Sequence, residues 1–245
     1  MIRVNTTDLQ NAFGKYLALT EKEDIVITKN GKNVAKLIRY TEPEFLLVRE
    51  KVTNYTVIKK VNYEKYLELA NSTEQRYEFI DGELYLLASP SYQHQVVVNE
   101  ILGQFYNYFR GKPCRALTAP FDVRLFGYAM KFEEDPNVVQ PDVLVICDRD
   151  KVQGNKYEGV PTLIVEVLSP STQSRDMVAK LHLYMRSGVS EYWVVDWENK
   201  KVYQYSFSPD RELSNLVIFE DDDTITSTAF EDLTIPLHDL FVDLQ

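Results

Sequence analysis

Leu163-Ile164-Val165-Glu166-Val167-Leu168 decides the fold. It is a short β-branched apolar run, the pattern of a strand buried on both faces, with a carboxylate in its middle. Burying that carboxylate is costly unless a cation, a hydrogen-bond donor or a metal compensates it. A second such run, Val143 to Cys147, lies upstream and opens with Asp142 directly after Pro141, whose ring removes one backbone donor and fixes the chain on entry. The polar, glycine-containing stretch from Arg149 to Pro161 is long enough to bring the two strands side by side with both carboxylates at one end of a sheet. Two carboxylates so placed, with Lys180 close by in the segment that follows, are the parts needed to hold a divalent metal and hydrolyse a phosphodiester. On the residues alone a structural alternative stays open, in which Asp142 caps a strand and Glu166 pairs with a buried arginine such as Arg124.

The surrounding blocks carry a resemblance. Pro141-Asp142, Glu166-Val-Leu-Ser-Pro-Ser-Thr172, Arg175-Asp176, Lys180, Tyr184 and Gly188-Val-Ser-Glu-Tyr-Trp-Val-Val-Asp196 occur in that order, preceded by Arg76-Tyr-Glu-Phe-Ile-Asp-Gly-Glu-Leu84. They resemble the Uma family of restriction endonucleases in the PD-(D/E)xK nuclease superfamily, over about residues 55–245. The resemblance implies an α/β fold with a restriction-endonuclease-like core, a mixed sheet flanked by helices. It also implies Mg²⁺ or Mn²⁺ bound by Asp142, Glu166 and the carbonyl of Val167, and a nucleic acid substrate, DNA first. One departure bears on mechanism. An E-x-K motif would place its lysine at 168, where this chain has Leu168, and the family pattern implies that Lys180 supplies it from the following helix. An i,i+4 ion pair of Lys180 with Asp176 is the alternative role, and both can hold together.

Four weaker candidates follow. Glu78 precedes Asp81-Gly82, a two-residue hairpin signal, and is either a cross-strand charge or, by the resemblance, a further catalytic carboxylate. His94 opens the helical stretch 93–110, as a helix-start polar group or a contact to the site or to DNA. Ser169 and Ser171 read as loop and capping residues whose hydroxyls could touch a phosphate. His182 and His238 have no partner at metal-ligand spacing.

The first forty residues read as a separate module. A strand at Arg3–Asn5, a cap at Thr6-Thr7-Asp8, a helical stripe of Leu9, Phe13, Tyr16 and Leu17, and a hairpin around Asn30-Gly31 resemble the Phd/YefM antitoxin fold over residues 1–42. Such modules dimerise and bind operator DNA. Here Gln10 stands at a usual arginine position while Lys29 keeps the basic position before the turn. The organisation expected is therefore an α+β dimerisation or DNA-binding module at 1–42, a linker at 43–54 with a short helix over 44–52, and the nuclease-like domain at 55–245.

Composition sets limits. Hydrophobic residues at 44% and charged residues at 26% suit a globular protein, and no apolar stretch approaches membrane-spanning length. With no signal peptide at its start the chain is expected in the cytoplasm, as a homodimer. Cys114 and Cys147 are far apart and outside any Cys-x-x-Cys pair, which predicts two small buried hydrophobes and neither a disulfide framework nor a zinc site. The net charge of −10 runs against a broad phosphate footprint, yet it is uneven: residues 1–60 carry 11 Lys and Arg against 7 Asp and Glu, and the rest 16 against 30. A non-catalytic DNA-binding regulator is thus the alternative to an enzyme.

Overall fold

Valine and isoleucine runs supply the centre of the computed structural model, which describes residues 2–11, 16, 19–20, 23, 25–29, 31–37, 60–129, 131–169, 175–242 and 244. Two compact units form, residues 1–51 and 52–245. In the first, β1 (Ile2–Asn5), α1 (Thr6–Asn11), β2 (Ile25–Lys29) and β3 (Lys32–Leu37) build a three-stranded sheet in which β2 pairs parallel to β1 and antiparallel to β3. The linker and short helix expected over 43–54 lie outside the described residues.

The larger unit holds α2 (Tyr63–Ser72), the hairpin β4 (Tyr77–Ile80) and β5 (Glu83–Leu86), α3 (Tyr92–Phe109), β6 (Arg115–Thr118), β7 (Asp122–Leu125), β8 (Asn137–Val139) and β9 (Val143–Ile146). Then come β10 (Val152–Gln153), β11 (Lys156–Glu158), β12 (Leu163–Val167), a π-helical segment Arg175–Lys180, α4 (Leu181–Ser187), β13 (Glu191–Asp196), β14 (Lys201–Phe207), β15 (Leu213–Phe219), β16 (Thr224–Thr226) and β17 (Thr234–Pro236). A central mixed sheet runs β15-β14-β13-β12-β9-β6, and a second six-stranded sheet runs β10-β11-β7-β8-β4-β5.

The neighbouring strands β6 and β7 belong to different sheets: β6 edges the central sheet and β7 enters the second. Of the C-terminal strands, β14 and β15 extend the central sheet, whereas β16 and β17 form a separate two-stranded sheet. Runs of three or four residues carry too little periodicity to say which sheet each joins.

Alternation along the central strands explains the layering. Val143, Val145, Leu163, Val165, Val167, Trp193 and Val195 face one way, against Val97, Val98, Ile101, Phe105 and Phe109 of α3. Leu144, Ile146, Ile164, Tyr192 and Val194 face the other, against Leu183 and Tyr184 of α4 and the second sheet's Ile80, Val123, Leu125 and Val139. Glu166 shares parity with Ile164 and so points towards α4 and the second sheet.

Local signals hold the ends. Ser91 caps α3 by accepting the His94 N–H, and Asn62 caps α2 by accepting the Lys65 N–H. Asp81 and Gly82, both with positive φ, close the β4–β5 hairpin as its sequence predicts, and Gly188 at φ 94° ends α4 in the left-handed region.

The cysteine expectation is overturned. Cys114 and Cys147 form a disulfide, as immediate cross-strand neighbours beyond the Arg115–Ile146 pair of β6 and β9. Sequence spacing could not reveal this, because antiparallel pairing of two strands brings distant positions into contact.

Candidate active site

Asp142 and Glu166 lie side by side. Strands β9 and β12 are antiparallel with Val143 opposite Val165, so the next pair outward is Asp142 with Glu166. Asp142 Oδ2 accepts the Val167 N–H at 2.8 Å and faces His94 Nε2 at 3.2 Å. That contact locks the strand entry to α3. The Asp142 carbonyl accepts the Thr118 hydroxyl at 2.7 Å, which fixes the turn from β6.

Glu166 is almost wholly buried, and Oε1 accepts both Lys180 Nζ and the Tyr184 hydroxyl at 2.7 Å. Lys180, 1% exposed, is shared further: Nζ stands 2.9 Å from Glu78 Oε1 and 3.6 Å from Asp176 Oδ1. Glu78 reaches in from β4, where Oε1 also accepts the Gln140 N–H at 2.9 Å and Oε2 lies 3.3 Å from Arg175. The lysine is delivered by the π-helical turn, whose wider winding sets Arg175, Asp176 and Lys180 together over the sheet; such turns recur at functional sites. The Asp176 carbonyl is held by the Tyr192 hydroxyl at 3.0 Å.

Glu78, His94, Asp142, Glu166, Asp176 and Lys180 line one cleft of about 300 Å³, with Arg76, Gln95 and Ser169 on its walls. Of the sequence-predicted residues, Asp142, Glu166, Val167, Lys180, Glu78, His94 and Ser169 thus converge. Lys29 belongs to the other unit, exposed at the end of β2. The alternative partner for Glu166 is excluded, since Arg124 pairs with Glu158 at 3.1 Å. The Lys180–Asp176 pair exists, but it is the longest of three carboxylate contacts. Arg175, Asp176, Tyr184 and Gln140 drew no site role from sequence, although the Arg175-Asp176 dipeptide and Tyr184 stood in the blocks that carried the resemblance.

Electrostatics follow from burial. Desolvation, together with the carboxylates of Asp142, Asp176 and Glu78, pushes the Glu166 carboxyl up to about 8 against the pull of Lys180. Burial disfavours the Lys180 charge, but Glu166, Glu78 and Asp176 outweigh it and raise its pKa. For His94, burial is again outweighed, here by the hydrogen bond and charge of Asp142, and its pKa rises. Burial would raise Glu78, yet Lys180, Arg175 and the Gln140 N–H together lower it. A carboxylate with a lowered folded pKa stabilises above its unfolded value and loses that contribution as pH falls through the folded one. Glu78→Gln should therefore cost about 3–5 kcal/mol near neutral pH, with the gap to wild type narrowing below about pH 4.5, as urea titrations across pH would read.

The donor set suits a hard cation. Described contacts to Asp142 fall on Oδ2 and those to Glu166 on Oε1, so each carboxylate has a second oxygen. The Val167 N–H points to Asp142, and in an extended strand its carbonyl points to the same side. Among the described residues no three His, Cys, Asp or Glu side chains cage a metal. Two carboxylates and a carbonyl completed by water match Mg²⁺, which keeps several waters and needs one or two carboxylates. Gln140 Oε1 and His94 Nδ1 are buried without a hydrogen-bond partner among the described residues, polar capacity within the same cleft.

Residues 63–238 match the Uma2 family, described as "Putative restriction endonuclease". The chain belongs to the Uma2 family. Two uncharacterized Synechocystis proteins of strain PCC 6803, slr1290 and sll1609, are each 26% identical to it, over 152 and 151 residues. Those alignments span 62% and 60% of this chain and 76% and 81% of the relatives. A crystal structure from Anabaena variabilis, titled as a "putative nuclease belonging to DUF820", superposes with a TM-score of 0.61 at 20% identity, covering 74% of this chain and 97% of that one. At that identity it shows a shared fold, which in this Uma2 chain places the cleft between the two large sheets. No helix among the described residues is long and apolar enough to cross a membrane.

Proposed function

We propose that this Uma2 chain is a metal-dependent nuclease that hydrolyses phosphodiester bonds, with DNA as the first substrate to test. The observation that carries the reading is the pairing of Asp142 and Glu166 across β9 and β12 with Lys180 seated on Glu166. Asp142, Glu166 and the Val167 carbonyl would hold Mg²⁺ or Mn²⁺. When bound, such a cation lowers the pKa of a coordinated water and polarises a phosphoryl oxygen.

The protein's own groups do the rest. His94 and the Val167 N–H fix the Asp142 carboxylate in one orientation. Tyr184 and Lys180 do the same for Glu166. Lys180, displaced from Glu166 only slightly, presents a cation to charge developing on the phosphate, and Arg76 and Arg175 on the cleft wall suit its non-bridging oxygens. In the smaller unit, the order of strand, helix and hairpin supports a dimerisation or DNA-targeting role, with exposed Lys29 as a phosphate contact.

The test is cleavage of plasmid, single-stranded DNA and RNA in Mg²⁺ or Mn²⁺, with wild type beside Lys180→Met. Cutting is expected with metal, abolished by chelator and restored by adding the cation back. Cutting that persists in excess chelator would sink metal dependence. Absence of cutting on every substrate would favour a binding-only protein.

A further inference from the structure

Helix α3 carries an exposed face without charge. Tyr92, Gln95, Asn99, Gly103 and Tyr106 are all exposed, and at about 100° per residue they fall within an arc of roughly 80°, opposite the buried His94, Ile101 and Phe105. Over its 18 residues the helix has a single charged side chain, Glu100, and that lies off this stripe. A solvent-facing helical surface usually bears Lys, Glu or Arg. Here it bears two large aromatic rings, Tyr92 at 70% and Tyr106 at 61% exposure, and two side-chain amides.

The stripe leads out of the cleft. Gln95 lines the cleft together with Asp142, His94 and Thr118. One turn further along, Asn99, Gly103 and Tyr106 line a second, open groove with Thr118, Pro120 and Phe121. Thr118 is common to both, so the two depressions adjoin along α3. Gly103 leaves space above the helix, since a Cβ there would meet nothing within 4 Å. Among the described residues, no Lys or Arg lines the second groove.

We infer that this α3 stripe is a nucleobase-binding track that makes single-stranded nucleic acid the substrate class. The inference rests on the nuclease reading of the adjoining cleft. Aromatic rings stack on bases of any sequence, and Asn and Gln amides match the donor and acceptor edges that unpaired bases expose. A duplex hides its base faces and presents phosphates, which an uncharged track on a protein of net charge −10 is poorly built to hold. The rings are 14 positions apart, about 21 Å along the helix, enough for several nucleotides.

The experiment is fluorescence anisotropy with the full chain in chelator, using labelled 15-nucleotide single-stranded DNA, the matching RNA, the DNA duplex and an abasic DNA strand. Wild type is expected to bind either single strand at least tenfold more tightly than duplex or abasic strand. Tyr92→Ala and Tyr106→Ala should each weaken single-strand binding about 5- to 100-fold, the range for loss of one base stack, while Tyr92→Phe stays near wild type. Both positions are exposed, and circular dichroism would verify folding. The DNA and RNA arms tell which strand is taken. Duplex bound as tightly as single strand, equal binding of the abasic strand, no binding at all, or unchanged affinity in both alanine variants would each overturn the track. Cleavage measured alongside separates the two readings. Metal-dependent cutting with unchanged tyrosine variants leaves the nuclease standing without the track, and tyrosine-dependent binding without any cutting leaves the track without the nuclease.

Discussion

Asp142→Asn is expected to lower metal-dependent cleavage roughly a thousandfold, the scale on which removing one catalytic group acts, while leaving the fold in place. The amide keeps an oxygen that can accept the Val167 N–H and retain the contact to His94, so the strand entry stays anchored. What it loses is the charge and second anionic oxygen that a hard cation needs. Single-turnover cleavage with saturating Mn²⁺, beside thermal unfolding, separates these effects. Full activity in the variant would remove Asp142 from the chemistry. Lys180→Met should lose comparable activity but should also destabilise the protein by about 3–5 kcal/mol, because Glu166 would remain buried without its cation and Glu78 would keep only Arg175.

A large effect on stability alone is expected from Glu191→Gln. Glu191 is wholly buried at the start of β13, away from the cleft lining, and its two oxygens take five donors. Oε1 accepts Trp193 Nε1 at 2.6 Å and Gln204 Nε2 at 2.7 Å. Oε2 accepts the Ser227 hydroxyl at 2.6 Å and the N–H groups of Thr228 at 3.1 Å and Ala229 at 2.9 Å. This single carboxylate ties β13 and β14 to the segment joining β16 and β17. A glutamine brings an NH₂ against donors already aimed at that place, and orphans at least two of them. The expected loss is about 3–5 kcal/mol in urea unfolding, with residual folded protein keeping its cleavage rate per molecule. A loss below about 1 kcal/mol would mean that the network relaxes around the substitution.

Residue types alone made much of the centre legible. A carboxylate inside a β-branched run requires a compensating partner, and the family blocks pointed to Lys180 rather than position 168. Hairpin chemistry at Asp81-Gly82 needed nothing beyond local geometry. Fully buried strands are different. Their periodicity says that both faces are covered and is silent on what covers them. Cys114 and Cys147 failed for a related reason, since cross-strand proximity depends on register and not on spacing along the chain.

The sequence by itself determined the order of strands and helices, the charge that had to be neutralised at Glu166, and the turns that join neighbouring elements, because each depends on residues close together in the chain. Only the tertiary structure decided that Glu78 from the second sheet shares Lys180 with Glu166, that His94 steadies Asp142, and that the uncharged face of α3 adjoins the cleft. Those contacts join residues up to about a hundred positions apart. They exist because two sheets and a helix pack on one another, and packing of that range leaves no periodic trace in the chain.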